Sequence, residues 1–177
     1  VGRPVYYKAL GAVEVETTFH ALPREETARR WAQEAPPGFV WSLKAPQLVT
    51  HPSSVIAFHK VPGGVPERRR AFCGQFKPTP EVEGAWRAFY SIARIVKARF
   101  ALFETPAAFY PDANHLRDMY AFFKSVDREG LSLAWLPKGN WDAALVSRVC
   151  KDLGLVHALD PLESQAPLRG VTRYFRL

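Results

Sequence analysis

The chain has 177 residues, 47% hydrophobic and 23% charged, with 2 cysteines and a formal net charge of +7. That balance excludes a disordered tail, a collagen-like rod and a disulfide-stapled miniprotein. No apolar run approaches the roughly 20 residues of a membrane span, so the expectation is a soluble single domain over residues 1–177.

Ala12 to Thr17 alternates apolar and polar residues, as a strand does. Glu25 to Ala35 reads as a helix with Ala28, Trp31, Ala32 and Ala35 on one side, ended by Pro36, Pro37 and Gly38. Phe39 to Ala45 is the next strand. Residues 46–79 show no sustained period and repeat Pro and Gly. A loop this long suits an insertion or lid. Thr79 and Pro80 open a helix whose apolar positions run from Val82 through Trp86 and Phe89 to Val96. A strand over Ala98 to Phe103, a helix over Asp112 to Val126 and a strand over Leu131 to Leu136 follow. Asn140 is the expected cap of a helix that reaches Leu153, with Gly154 at the left-handed C-terminal position. Strands over Leu155 to Leu159 and Val171 to Leu177 end the chain. This alternation implies parallel strands joined by right-handed crossovers. No glycine-rich phosphate loop follows any strand, which argues against a dinucleotide-binding fold.

Ligand sites of parallel α/β folds lie at the carboxyl ends of the strands. Ionisable residues occupy those ends here: Glu16, Lys44, Glu104, Lys138, Asp160 and Arg176 in strand order. Each alone reads as a solvated strand exit, but a barrel would bring them to one mouth. Carboxylates and cations crowded together shift one another's proton affinity, as acid–base chemistry requires.

The run Val13 to Pro23 (VEVETTFHALP) resembles the "VE-x-x-x-TFY-x-LP" segment of the DUF72 (YecE-like) family. Gly38 to Pro52 is similar to its "GF-x-F-x-x-K" strand and following "TH", and Ala101 to Phe109 to its "Q-x-PP-x-F". Leu133 to Trp141 resembles an archaeal form, "WEPRG-x-W", and Tyr174 to Leu177 the start of "YxRLHG". The resemblance implies an α/β, TIM-barrel-like (β/α) fold, with either an incomplete barrel or first and last strands that lie outside the sequence in hand. It brings no established reaction. By that resemblance the site residues are Glu14, Lys44, Thr50, His51, Asp160 and Arg176. Four positions depart from the family pattern: His20 for tyrosine, Glu104 for glutamine, Leu136 for glutamate and Lys138 for arginine.

Two functional readings follow. In the first, Glu14, Lys44, His51 and Asp160 are catalytic, and Glu16, Thr50, Glu104, Lys138 and Arg176 bind the ligand. Lys44 holds a phosphate or carboxylate, His51 moves protons near neutral pH, and a carboxylate is the base. Lys44→Ala is then expected to abolish turnover. A divalent metal held among His20, His51, Glu16, Glu104 and Asp160 is a weaker variant, because no paired histidines stand at ligand spacing. In the second, Arg68, Arg69 and Arg70, interleaved with aromatic residues, bind nucleic acid as a backbone-tracking groove. The competing account of those arginines is an ordinary solvated surface. The positive balance suits an anionic partner and equally keeps a protein soluble. No basic stretch followed by an apolar one opens the sequence, and the two cysteines lack ligand spacing. A cytoplasmic protein with reduced thiols is expected. Arginine in excess of lysine, with few Cys and Met, is a composition met among thermophile proteins.

Overall fold

A computed structural model describes residues 3–160 and 174–175. Six strands lie in sequence order and every neighbouring pair is parallel: β1 (Ala12–Val15), β2 (Val40–Lys44), β3 (Phe100–Thr105), β4 (Ser132–Pro137), β5 (Val156–Leu159) and β6 (Tyr174–Phe175). Helices α1 (Arg3–Ala9), α2 (Glu25–Glu34), α3 (Gln47–Thr50), α4 (Glu67–Arg70), α5 (Pro80–Ile95), α6 (Ala113–Ser125) and α7 (Ala143–Leu153) precede or separate the first five strands. The expected α/β alternation is therefore present.

Local chemistry explains the main helices. The Thr79 hydroxyl accepts from the Val82 N–H, Pro80 supplies a pre-set φ, and Val82, Trp86, Phe89, Ile92 and Ala93 of α5 are buried. Asp112 caps α6 through the His115 N–H. α7 is capped by Asp142, which accepts from the Leu145 N–H at 2.9 Å, and not by Asn140 as the sequence suggested. Both residue types suit the position, so only geometry separates them. Gly154 ends α7 at φ 61°, in the expected left-handed conformation. The first strand stops at Val15 and gives way to a 3-10 turn, Glu16–Phe19. α1 was not anticipated; its Tyr7 packs edge-on to Phe39 and Trp41.

Period-two alternation divides the sheet into two faces. Trp41, Leu43, Ala101, Phe103, Leu133 and Trp135 join Trp86, Phe89 and Phe122 of the helices in the main core. Leu102, Ala134, Leu136 and Ala158 form a smaller cluster with Val156 and Tyr174 on the opposite face. Glu14, Ser42 and Phe100 are successive partners across β1, β2 and β3, and Lys44 partners Leu102, so these residues share that second face. The Tyr174 hydroxyl, on β6, hydrogen-bonds Ser42 at 2.7 Å and donates to Glu14. The sheet thus curves until its last strand reaches side chains of its first two. Among the described residues β1 and β6 share no backbone pairing. The expected strand over 171–177 is described only at Tyr174–Phe175, and Arg176 lies outside the described residues.

Residues 46–79 are more built than their lack of period suggested. They contain α3, α4 and a 3-10 turn at Phe58–Lys60. Val49, Ile56, Cys73 and Phe76 are buried, and Phe76 sits among Phe103, Phe109, Phe122 and Phe123. No helix of the described residues is long and apolar enough to cross a membrane.

Candidate functional site

The site begins with a threonine. The Thr18 hydroxyl donates to one of two carbonyls it touches, Val15 at 2.7 Å and Lys44 at 2.8 Å. That contact ties the turn after β1 to the end of β2 and presents Phe19 and His20 beside Lys44. The Lys44 ammonium stands 4.6 Å from the centre of the Phe19 ring. The same ring meets His20 and His51 edge-on, each at 4.8 Å. Glu104 reaches the ammonium from β3, Oε1 to Nζ 3.2 Å, and only 10% of the lysine side chain and 17% of the glutamate side chain meet solvent. A desolvated ammonium costs several kcal/mol unless it is paired, so Glu104 is what allows Lys44 to sit there charged.

His51 follows α3. Its Nδ1 is 2.8 Å from the hydroxyl of Thr50, which is fully buried. Burial lowers the His51 pKa to about 4, assisted by Lys44 and His20 and opposed by Glu104. The near-neutral titration expected from an ordinary imidazole is displaced: at pH 7 this ring is a neutral acceptor and a weak base. His20 is also lowered, by burial first and then by Lys60, Lys44 and His59. Its ring is partly exposed, but Nδ1 is buried and has no hydrogen-bond partner among the described residues. Two neutral imidazoles, kept so mainly by burial, therefore flank one paired lysine.

The backbone that carries His51 is clamped from outside. Gly74, at φ 77°, lies so close to the His51 carbonyl that a Cβ would stand 1.7 Å from its oxygen. The Gly74 N–H donates to Leu48 and the Phe76 N–H to Val49, both at 2.8 Å.

Glu14 belongs to a second polar group on the same face, with Tyr174 and Ser42. Tyr174 is held well above the ordinary phenol range, by burial first and then by its hydrogen bond to Glu14.

Four of the sequence-derived residues form two pairs, Lys44 with Glu104 and Thr50 with His51, and the Phe19 ring touches both pairs. Lys138 and Asp160 immediately follow β4 and β5, at the same end of the sheet as Lys44 and Glu104. Glu16 is exposed and lines an apolar cleft of about 340 Å3 with Tyr6, Tyr7, Trp31 and Trp41, on the outer side of β1. Arg69 pairs with Glu81, and Arg70 lies 4.9 Å over the Phe58 ring and donates to the Val65 carbonyl. Arg70 thus holds its own segment together and Arg69 ties it to α5, while Arg68 is exposed. Among the described residues no three His, Cys, Asp or Glu side chains gather as a metal site.

Sequence reasoning gave Phe19 no role and considered His20 only as a metal ligand. The alternation of β1 stops at Val15, so nothing in the pattern showed that the next turn doubles back over Lys44. Tyr174 was also passed over, although it precedes Arg176 by two residues and so shares its strand face by period.

The family model described as "Protein of unknown function DUF72" matches residues 4–154. Among solved structures, a DUF72 family protein from Enterococcus faecalis is similar, with TM-score 0.51 and 15% identity. The alignment covers 97% of this chain and 62% of that one, so this chain spans less than two thirds of that protein's length. At this identity the likeness carries the fold alone. No match is found among curated proteins.

Proposed function

The chain belongs to the DUF72 family, and from that premise we propose that the strand ends around Lys44 bind an anionic ligand bearing phosphate or carboxylate. The observation that carries this reading is the grouping of Lys44, His20 and His51 around the one Phe19 ring at the carboxyl end of a parallel sheet. Burial, with Lys44 assisting, keeps both imidazoles short of a proton, and Lys44 supplies the positive charge that an anion would pair with. Acid–base or hydrolytic chemistry is the finer part of the proposal: His51 accepts a proton from a bound nucleophile, and the anion itself raises the basicity of His51 as the proton arrives.

Leu136 occupies the place of a family glutamate and is the direct cross-strand partner of Glu104. On this reading Glu104, at the place of a family glutamine, is the carboxylate of the site.

The nucleic-acid reading has less support, because Arg69 is engaged by Glu81 of α5 and Arg70 by Phe58 of its own segment. A cytoplasmic location remains part of the proposal. Calorimetric titration of the wild-type chain and Lys44→Met with inorganic phosphate, pyrophosphate and citrate tests the main reading. The expected result is binding by the wild type that weakens about tenfold or more in a variant that still melts cooperatively, since charge-assisted hydrogen bonds of this kind contribute on the order of 1.5–3 kcal/mol. Equal affinity in both proteins would remove Lys44 from the site.

A further inference from the structure

The cleft outside β1 is walled by aromatic rings. Tyr6, Tyr7, Trp31 and Trp41 line its volume of about 340 Å3, together with Val13 and Val15. Trp31 and Trp41 lie nearly parallel, with 10° between their planes and 6.1 Å between their centres. Tyr7 stands edge-on to Trp41 at 73°, and Tyr6 edge-on to Tyr7 at 88°. Rings set at such steep angles enclose a space instead of closing into one stack. The Tyr6 hydroxyl donates to the Ala12 carbonyl at 3.1 Å, which fixes that ring to the start of β1. The walls are therefore in place before any ligand arrives.

The charge of the lining is one-sided. In a chain of net charge +7, no Lys, Arg or His among the described residues lines this cleft, whereas Glu14 and Glu16 do. Glu14 accepts from the Tyr174 hydroxyl on the opposite face of the sheet, and Glu16 is exposed on the turn that ends β1. The face of each aromatic ring carries partial negative charge as well. Aromatic walls beside a carboxylate complement a cation. The cation they suit has no N–H groups, because a primary ammonium would leave its water there for apolar walls that cannot replace it. A quaternary ammonium spreads its charge over carbon-bound hydrogens and needs no acceptor.

We propose that this cleft binds a small organic cation, a quaternary ammonium carried on a compact body. The rings of Tyr6, Tyr7, Trp31 and Trp41 hold the charged head by cation–π attraction, and Glu16 supplies the opposite charge at the exposed margin. The volume lies at the lower end of the roughly 300–1,000 Å3 of small-molecule pockets, which suits a free molecule and not a length of chain. The cleft is on the outer side of β1, apart from the strand ends around Lys44, so the proposal stands or falls independently of the anion-binding reading.

The test is calorimetric titration of the full chain, as wild type, Trp31→Leu, Glu16→Gln and Lys44→Met. The probes are choline and neopentylcarbinol, its uncharged counterpart with carbon in place of the nitrogen. The wild type is expected to bind choline saturably and the neutral compound at least about tenfold more weakly, as the attraction of a cation to desolvated rings implies. Trp31→Leu is expected to weaken choline binding about tenfold and Glu16→Gln about threefold, while Lys44→Met binds it as the wild type does. Should Trp31→Leu fail to fold, the exposed substitution Glu16→Gln and the neutral compound decide. Absence of choline binding by the wild type, equal affinity for the two compounds, or unchanged choline affinity in either cleft variant would overturn the proposal. So would its loss in Lys44→Met, which would place the cation elsewhere. A trimethyl-lysine peptide bound more tightly than choline would assign the cleft to a protein partner and overturn it as well.

Discussion

At the scale of single residues, the site is an arrangement of groups that restrain one another's charge. Glu104 pairs with Lys44, and burial, with Lys44 assisting, keeps His51 and His20 neutral. The sign of the resulting pH dependence follows directly. His51 binds its proton near 6.5 when unfolded and only near about 4 when folded. Above the higher value neither state is protonated and the contribution to stability is complete. As pH falls from 6.5 toward 4 the unfolded chain takes up a proton that the folded chain refuses, so stability declines. His51→Asn is expected to lose less stability than the wild type between pH 7 and 4.5, measured by urea unfolding at each pH. An identical decline in both proteins would show that His51 is not the buried neutral ring described here.

At the scale of elements, the segment between β2 and α5 decides how rigid the site is. Its sequence offered no period, yet Gly74 and Phe76 donate along α3 and Phe76 fills an aromatic core. Gly74 is required twice over, by its positive φ and by its contact with the His51 carbonyl. Gly74→Ala is expected to cost at least about 2 kcal/mol of stability and to release His51, so that its ring pKa moves up toward the ordinary 6.5. Denaturant unfolding combined with histidine NMR checks this. A variant as stable as the wild type, with an unmoved His51, would refute the clamp. The helices, in contrast, were readable from local chemistry. Thr79–Pro80 and Gly154 stand where capping preferences place them, because caps depend on neighbours a few residues away. The choice of Asp142 over Asn140, and the existence of α1, depended on packing that no short window contains.

At the scale of the molecule, strands in sequence order and parallel throughout send every strand tail to one end. That single property made Lys44, Glu104, Lys138 and Asp160 legible as neighbours before any coordinates. Which of them touch was not legible, since contact depends on register and on loops that return. Glu16 shows the limit: it ends the alternating run, but the chain turns there and leaves it beside the outer cleft. His20, four residues on, is carried inward by the same turn. The arginines of α4 show a second limit, because charge in a sequence carries no record of which carboxylate or ring will occupy it.

The central claim is that an anion enters between Lys44, His20 and His51. Five histidines report on it, and His115 serves as an internal control, because it sits in the first turn of α6 against Asp112, Tyr110 and Gln75. The decisive measurement is a side-chain NMR titration of the wild-type chain with inorganic phosphate at constant pH and ionic strength. The account predicts saturable shifts at His20 and His51 and none at His115. Shifts confined to other histidines, or equal at all five, would contradict it.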